Sequence, residues 1–131
     1  MDDLKRVLCA EDDEDIRTVL KFSLTRVGQF EVCMCEDGLQ ALDQAPGFKP
    51  QMILLDVMMP GLTGPETLER LRANAQLCSV PVVFVTAKAT LDELETLTQH
   101  GAAGIIVKPF SASELPENLR MIWARHSHAR S

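Results

Sequence analysis

Long apolar runs are missing from this sequence of 131 residues. No stretch approaches the roughly 18 consecutive apolar residues that a membrane-spanning helix needs, so no membrane contact is expected. The start, Met1-Asp2-Asp3, is acidic, whereas a signal peptide begins with basic residues and an apolar stretch. These two absences predict a cytoplasmic protein.

Positive charge is scarce, because 13 lysines and arginines stand against 19 aspartates and glutamates, for a net charge of −6. A field of that sign repels phosphate backbones, so direct binding to nucleic acid is not expected. The C-terminal end, WARHSHARS, is locally basic, and we interpret it as a helix end with a tail over residues 127–131. His126 and His128 lack a third ligand nearby, so they predict no strong metal site.

Paired cysteine motifs, linkers, repeats and low-complexity segments are also absent. The four cysteines, Cys9, Cys33, Cys35 and Cys78, form no CxxC pair. Small buried thiols in a reducing compartment explain them best, with a redox role as the alternative. Without a linker, the chain predicts one domain with one core, which we place at residues 1–126.

Five short apolar runs alternate with five segments whose apolar residues recur at helical spacing. Strict alternation predicts an α/β fold, (βα)5, in which helices cover both faces of a parallel sheet. Because crossovers between parallel strands are right-handed, the leading topology is a flavodoxin-like doubly wound five-stranded sheet, order 2-1-3-4-5. The predicted strands cover residues 6–10, 30–35, 51–55, 81–86 and 104–107. The predicted helices cover residues 13–27, 37–45, 65–75, 90–100 and a final segment that begins at an N-cap, Ser113.

Chemically reactive side chains follow the strands at one edge of this predicted sheet. Strand 1 ends in Glu11-Asp12-Asp13, strand 3 in Asp56, strand 4 in Thr86 and strand 5 in Lys108. Open α/β sheets bind ligands at the C-terminal edge of their strands. Neighbouring strands are about 4.8 Å apart, so the strand 1 acids and Thr86 each lie one spacing from Asp56. Lys108 lies two spacings away, a distance that its long side chain can span.

The residue types at this edge indicate phosphoryl transfer. Crowded carboxylates repel one another and need a cation, and oxygen ligands with room for water suit Mg²⁺. A lysine and a hydroxyl beyond the metal suit an anion with several oxygens. A carboxylate can itself accept the phosphoryl group as an aspartyl phosphate. Asp56 is the candidate acceptor, because it sits in the middle of the set and inside the most apolar stretch, QMILLDVMMPG.

Five segments of the chain resemble, in order and spacing, the motifs of response regulator receiver domains in two-component signal transduction. They are VLCAEDDEDIR, CEDGLQAL, ILLDVMMPGLTG, PVVFVTAKA and GAAGIIVKPFSASEL. The resemblance, which is to chemotaxis-regulator-like receivers, covers essentially the whole length. It implies the five-strand order given above and a cis bond between Lys108 and Pro109.

The resemblance also assigns roles to individual residues. It implies Mg²⁺ as the cofactor, with Mn²⁺ as a substitute, and Asp12 as a more direct ligand than Glu11. Asp13 is the extra acid, and we interpret it as a helix cap rather than an outer-shell group. The implied metal ligands are Glu11, Asp12, Asp56 and the backbone carbonyl of Met58, and the implied phosphoryl-handling residues are Asp56 as acceptor, Thr86 and Lys108.

Two further expectations concern partners and output. In the family, a histidine kinase or phosphotransfer protein donates the phosphoryl group, and the receiver supplies metal and positioning without being an enzyme in its own right. The output is a face of helix 4, strand 5 and helix 5, which binds a downstream protein and can form a homodimer.

The family has an aromatic residue on strand 5 where this chain has Ile105, so its switch is expected to differ. The chain is either a stand-alone receiver or a piece of a longer regulator.

Two positions near the acceptor bear on the lifetime of the phosphoryl group. They are Met58 and Lys88, two residues after Asp56 and Thr86, and a thioether is a poor partner for an attacking water. They predict slow to moderate self-dephosphorylation.

Three rival functions compete with that of a receiver. The first is a pseudo-receiver, an interaction module that never gains phosphate, and the complete set of acids, hydroxyl and lysine argues against it. A haloacid-dehalogenase-like phosphatase needs a second aspartate where Met58 stands. A flavodoxin needs a hydroxyl-rich and glycine-rich first loop, and EDDEDI is the opposite.

Overall fold

The computed structural model describes residues 2–129, which form five strands in strict alternation with helical segments. The strands are β1 (Arg6–Ala10), β2 (Glu31–Cys35), β3 (Met52–Asp56), β4 (Val82–Thr86) and β5 (Gly104–Val107). The helices are α1 (Glu14–Phe22), α2 (Gly38–Phe48), α3 (Gly64–Arg72), α4 (Leu91–Gln99) and α5 (Leu115–Ala129), and a π-helical turn (Ser23–Val27) continues α1. All strand pairs are parallel and the order is β2-β1-β3-β4-β5, which confirms the predicted flavodoxin-like topology.

Alternating side chains along the strands build one apolar layer on each face of the sheet. On one face, the odd positions of β1 pack with α1 and α5, for example Cys9 with Leu20 and Leu119. On the other face, Leu8 and its neighbours pack with α2, α3 and α4. Because helices cover both faces, β3 and β4 are buried at every position. The C-terminal ends of the strands are left to form the functional edge.

Short polar side chains fix where the helices begin, and so where the loops at this edge end. Asp13 Oδ1 accepts from the Ile16 amide at 3.0 Å, which confirms Asp13 as the cap of α1. Thr63 caps α3 in a reciprocal capping box with Glu66.

Several helix boundaries differ from the sequence predictions; α3, for example, ends at Arg72 rather than at residue 75. Helix α2 does not stop before Pro46 but continues to Phe48, because a proline removes only one helical hydrogen bond there and Phe48 packs against the apolar layer. Helix α5 begins at Leu115 rather than directly after Ser113. The preceding turn starts at Ser111, whose carbonyl accepts from the Leu115 amide at 2.9 Å.

Packing also corrects the expectation that all four cysteines are buried thiols. Cys78 is exposed, so it is not a buried thiol, whereas Cys9 and Cys35 are buried. Leu91 stands at helical spacing from Leu94 and Leu97, which is typical of a buried position, but it is 85% exposed. Helix α5 runs to Ala129, so residues 127–129 of the predicted tail are helical, and residues 130 and 131 lie outside the described part of the chain. The boundary between domain and tail stays a prediction.

No helix within residues 2–129 combines the length and the apolar character that crossing a membrane requires.

Candidate functional site

The C-terminal ends of β1, β3, β4 and β5 surround a pocket of about 270 Å³. Asp56 is the last residue of the central strand β3, and Thr86 is the last residue of β4. The acids after β1 and the lysine after β5 complete the wall. All predicted site residues line this pocket: Glu11, Asp12, Asp56, Met58, Thr86 and Lys108.

Lys108 reaches across two strands, as its side-chain length allows. Its Nζ lies 2.9 Å from Asp56 Oδ1 and 3.0 Å from Glu11 Oε1. Its backbone amide donates to the Thr86 carbonyl at 2.8 Å, which anchors the start of the loop to β4. The peptide bond to Pro109 is cis, as the resemblance implied. One ammonium group therefore serves two carboxylates.

Glu11 is the most deeply buried acid of the cluster, with 1% of its surface exposed. Its Oε2 accepts from the Asp13 amide at 3.2 Å. Its Oε1 is buried and accepts no hydrogen bond of good geometry, although the Lys108 ammonium lies 3.0 Å away. Charge attraction holds this ion pair together, because it tolerates angles that a hydrogen bond does not.

This donor set fits a hard divalent cation. Carboxylate oxygens of Glu11, Asp12 and Asp56 all lie within 4.8 Å of one another. Three carboxylates and one ammonium leave two negative charges uncompensated, which a divalent ion would balance. Oxygen-only donors with an open side to solvent are the surroundings that Mg²⁺ and Mn²⁺ accept.

The surroundings of Asp56 shift its acidity. Burial raises the pKa of Asp56 to about 6, and the Glu11 charge and a hydrogen bond with Asp12 act in the same direction, against the lowering effect of Lys108. Burial alone would lower the pKa of Lys108, but its contacts with Asp56 and Glu11 outweigh burial and raise it. The site without metal is therefore under electrostatic stress that a bound cation would relieve.

We expect the metal-free protein to lose stability as the pH rises from about 4 to about 6. The folded protein binds the Asp56 proton more tightly than the unfolded chain, whose carboxyl titrates near 3.8, so stability falls through this window. Urea unfolding at closely spaced pH values, compared between wild type and Asp56→Asn, isolates this contribution. If the difference in free energy of unfolding between wild type and variant does not change with pH, the pKa of Asp56 is not raised in the folded protein.

Thr86 is 4% exposed, and its hydroxyl is held by its own loop. The Thr86 Oγ1 accepts from the Lys88 amide at 3.0 Å and lies 3.3 Å from the Lys88 carbonyl. Met58 contributes to the pocket wall, but its side chain is 66% exposed.

Sequence reasoning missed the close approach of Gly64 to the acceptor. A Cβ at Gly64 would lie 2.7 Å from the Asp56 carbonyl oxygen, so only glycine lets α3 begin against the end of β3. The Gly64 amide donates to the Val57 carbonyl at 2.9 Å. Glycines are visible in the GLTG segment, but which backbone atom approaches Gly64 depends on how α3 packs against β3.

An apolar depression of about 470 Å³ lies beside the site and was also missed. It runs from α1, at Ile16 and Val19, to Pro109 and Phe110 after β5. Val19 follows Ile16 at helical spacing, which is typical of a buried position, yet it is 43% exposed. Lys108 lines both this depression and the acidic pocket, so the two adjoin.

Ile105 stands where the family has an aromatic residue. It is partly buried and packs in the apolar layer between the sheet and α2, α3 and α4. It pairs in register with Phe84 of β4, two residues before Thr86.

The family model for "Response regulator receiver domain" matches residues 7–120. The chain is 32% identical to the chemotaxis protein CheY of Pseudomonas aeruginosa, over 92% of this chain and 97% of that protein. It is 43% identical to an uncharacterized transcriptional regulatory protein, YrkP, of Bacillus subtilis, over 84% of this chain. It is 35% identical to the transcriptional regulatory protein CseB of Streptomyces coelicolor, over 98% of this chain.

The lengths of these relatives differ. The matched region is 46% of YrkP and 53% of CseB, so the chain spans about half the length of these transcriptional regulators. Among solved structures, the chemotaxis protein CheY4 of Vibrio cholerae superposes with a TM-score of 0.84 at 29% identity, over 91% of this chain and 98% of that one.

Proposed function

Since this chain belongs to the response regulator receiver domain family, a family of signalling domains in two-component systems, we propose that it accepts a phosphoryl group on Asp56 from a phosphohistidine donor. The observation that carries this proposal is the shared lysine: Lys108 contacts the central aspartate and Glu11 together, beside a third carboxylate. A histidine kinase or a phosphotransfer protein supplies the phosphoryl group. The site acts in the cytoplasm, where such donors present their phosphohistidine.

The chemistry follows from the positions of the side chains. An Asp56 carboxylate oxygen attacks phosphorus, the phosphorus–nitrogen bond of the donor breaks, and the imidazole leaves with the bond's electron pair. Lys108 turns from the carboxylates to the phosphoryl oxygens, and the Thr86 hydroxyl binds another of them. Glu11, Asp12, Asp56 and the Met58 carbonyl would hold Mg²⁺, which neutralises charge on the transferring group.

Incubation with acetyl phosphate tests the proposal without a kinase. Intact-protein mass is measured with Mg²⁺, with Mn²⁺ and with a chelator. We expect a gain of one phosphoryl group with either metal and none with the chelator. A protein that never gains mass, even from a phosphorylated histidine kinase, would instead be an interaction module that does not use phosphate.

We assign the apolar depression beside the site to the phosphodonor. A donor helix that brings its phosphohistidine to Asp56 must rest on the surface at the mouth of the pocket. Ile16, Val19 and Phe110 supply apolar area there, and Lys108 links it to the chemistry. Apolar anchors next to a charged centre are how such contacts combine affinity with orientation.

The output surface is the face formed by α4, β5 and α5. Exposed large apolar residues occur on each of these elements: Leu91 on α4, Val107 on β5 and Met121 on α5, at 85%, 40% and 57%. When the Thr86 hydroxyl turns to the phosphoryl group, its two contacts with Lys88 break and the β4–α4 loop shifts. Ile105 repacks without a ring to rotate, so the switch acts through the loop and the aliphatic layer. A downstream protein or a second copy of the chain binds the shifted face.

We expect slow to moderate loss of the phosphoryl group once the donor is removed. Met58 and Lys88 flank the pocket, and neither a thioether nor a protonated amine activates water as a base. Desalting followed by timed mass spectra measures the half-life. A half-life of seconds in the absence of a phosphatase contradicts this expectation.

A further inference from the structure

Arg17 is bound to the backbone of both acids at the metal site. Its Nη1 donates to the Glu11 carbonyl and to the Asp12 carbonyl, each at 2.9 Å. Its Nη2 lies 3.8 Å from Glu36 Oε1 at the end of β2, and its side chain is only 20% exposed. The guanidinium thus ties α1 to the loop that carries the acids.

The two carbonyls need a donor that the helix cannot give them. Strand β1 ends at Ala10 and α1 begins at Glu14, and the first helical hydrogen bond runs from the Arg17 amide to the Asp13 carbonyl at 2.9 Å. The carbonyls of Glu11 and Asp12 precede this ladder, and backbone acceptors at a partly buried edge require partners. The two N–H groups of Nη1, at the end of the long arginine side chain, supply one donor to each carbonyl.

The positive charge of Arg17 is electrostatically unfavourable at this position. A cation near three carboxylates lowers the local attraction for a metal ion, and a cation in the first turns of a helix is opposed by the helix dipole. A residue kept there for charge alone would weaken the site. Arg17 must therefore contribute through geometry. Its hydrogen bonds fix both carbonyls, and this fixes the backbone that orients the Glu11 and Asp12 side chains.

We propose that Arg17 is a positioning residue that holds the Glu11 and Asp12 carboxylates in the arrangement a divalent cation requires. The inference rests on the proposed metal-dependent phosphoacceptor site. Geometry and charge predict opposite effects when Arg17 is removed. Loss of positioning weakens Mg²⁺ binding, whereas loss of the positive charge alone strengthens it.

The experiment compares Arg17→Gln with Arg17→Lys, which keeps the charge but whose side chain is one atom too short to place its nitrogen where Nη1 reaches both carbonyls. Titration calorimetry gives the Kd for Mg²⁺, and hydrogen exchange of the metal-free protein reports on residues 11–16. We expect both variants to bind Mg²⁺ about 10-fold more weakly, the scale found when support to metal ligands is lost. We also expect faster exchange in that segment in both variants and unchanged exchange around Asp56.

Two control variants separate this effect from bulk charge. Arg70→Gln removes an exposed arginine on α3, and Glu36→Gln removes the long, exposed ion pair while leaving both carbonyl bonds. Both should bind Mg²⁺ within about twofold of wild type.

Tighter binding by Arg17→Gln, or wild-type binding and exchange in Arg17→Lys, overturns the positioning role. A wild-type protein that ignores Mg²⁺ overturns the proposed function instead, and the exchange comparison then still decides whether Arg17 holds the loop. Should Arg17→Gln fail to fold by circular dichroism, Arg17→Lys alone decides both readouts.

Discussion

Asp56→Asn is expected to abolish Mg²⁺-dependent phosphorylation and, at the same time, to stabilise the metal-free protein. The amide lacks the nucleophilic oxygen anion, so the acceptor is gone. At neutral pH the change also removes a buried charge whose pKa is raised to about 6, first by burial and then by Glu11. Lys108 keeps Glu11 as a partner at 3.0 Å, so the variant leaves no lone buried cation.

The size of the stabilisation follows from the acidity of Asp56. A carboxyl that titrates about two pH units above its ordinary value costs roughly 1–3 kcal/mol when ionised at neutral pH. The denaturant midpoint of the variant should therefore rise at pH 7.5 without metal, and its response to Mg²⁺ should shrink. Asp43→Asn, which removes an exposed acid on α2, is the matched control and should change neither property. A less stable Asp56→Asn would mean that the carboxylate cluster is not strained.

Lys108→Gln is expected to slow phosphorylation by acetyl phosphate about 100-fold or more, the usual cost of losing one charge-stabilising donor. The variant leaves Asp56 and Glu11 without the ammonium that lies 2.9 and 3.0 Å from them. The pKa of Asp56 should then rise further, because the lysine is the group that opposes burial there. The initial rate of mass gain at saturating Mg²⁺ measures the effect.

The control for Lys108→Gln is Lys21→Gln, which removes an exposed lysine in the last turn of α1. It should phosphorylate at the wild-type rate. If Lys108→Gln also keeps that rate, the lysine is a structural counter-ion for the carboxylates and has no part in transfer.

The sequence was enough to predict the strands, their order and the residues at the functional edge. Continuous apolar runs such as MILL, followed by Asp56, indicate a strand covered on both faces. Alternation with helices then fixes the edge at which its polar end emerges. The reach of Lys108 followed from side-chain length. Apolar runs, the alternation of strands with helices and side-chain length are all local features, so they can be read from the sequence.

What the sequence did not predict depends on contacts between distant segments. Pro46 disfavours a helix locally, but α2 continues beyond it because Phe48 packs against the apolar layer. Gly64 and Arg17 act through single backbone atoms of other segments, so no periodicity reveals them. Val19 follows the apolar spacing of α1 but faces the depression beside the site. Tertiary geometry, rather than propensity, decides each of these cases.

Direct mapping of the modified residue is the closest test of whether Asp56 itself carries the phosphoryl group. Wild-type protein phosphorylated with acetyl phosphate and Mg²⁺ is reduced with borohydride, which converts an aspartyl phosphate to homoserine, and is then digested for peptide sequencing by mass spectrometry. We predict homoserine at position 56 and unchanged acids at positions 11, 12 and 13. Homoserine at position 12 or 13 with an intact Asp56 would contradict the account, because the acceptor would then be a residue that we assign to the metal or to the helix cap.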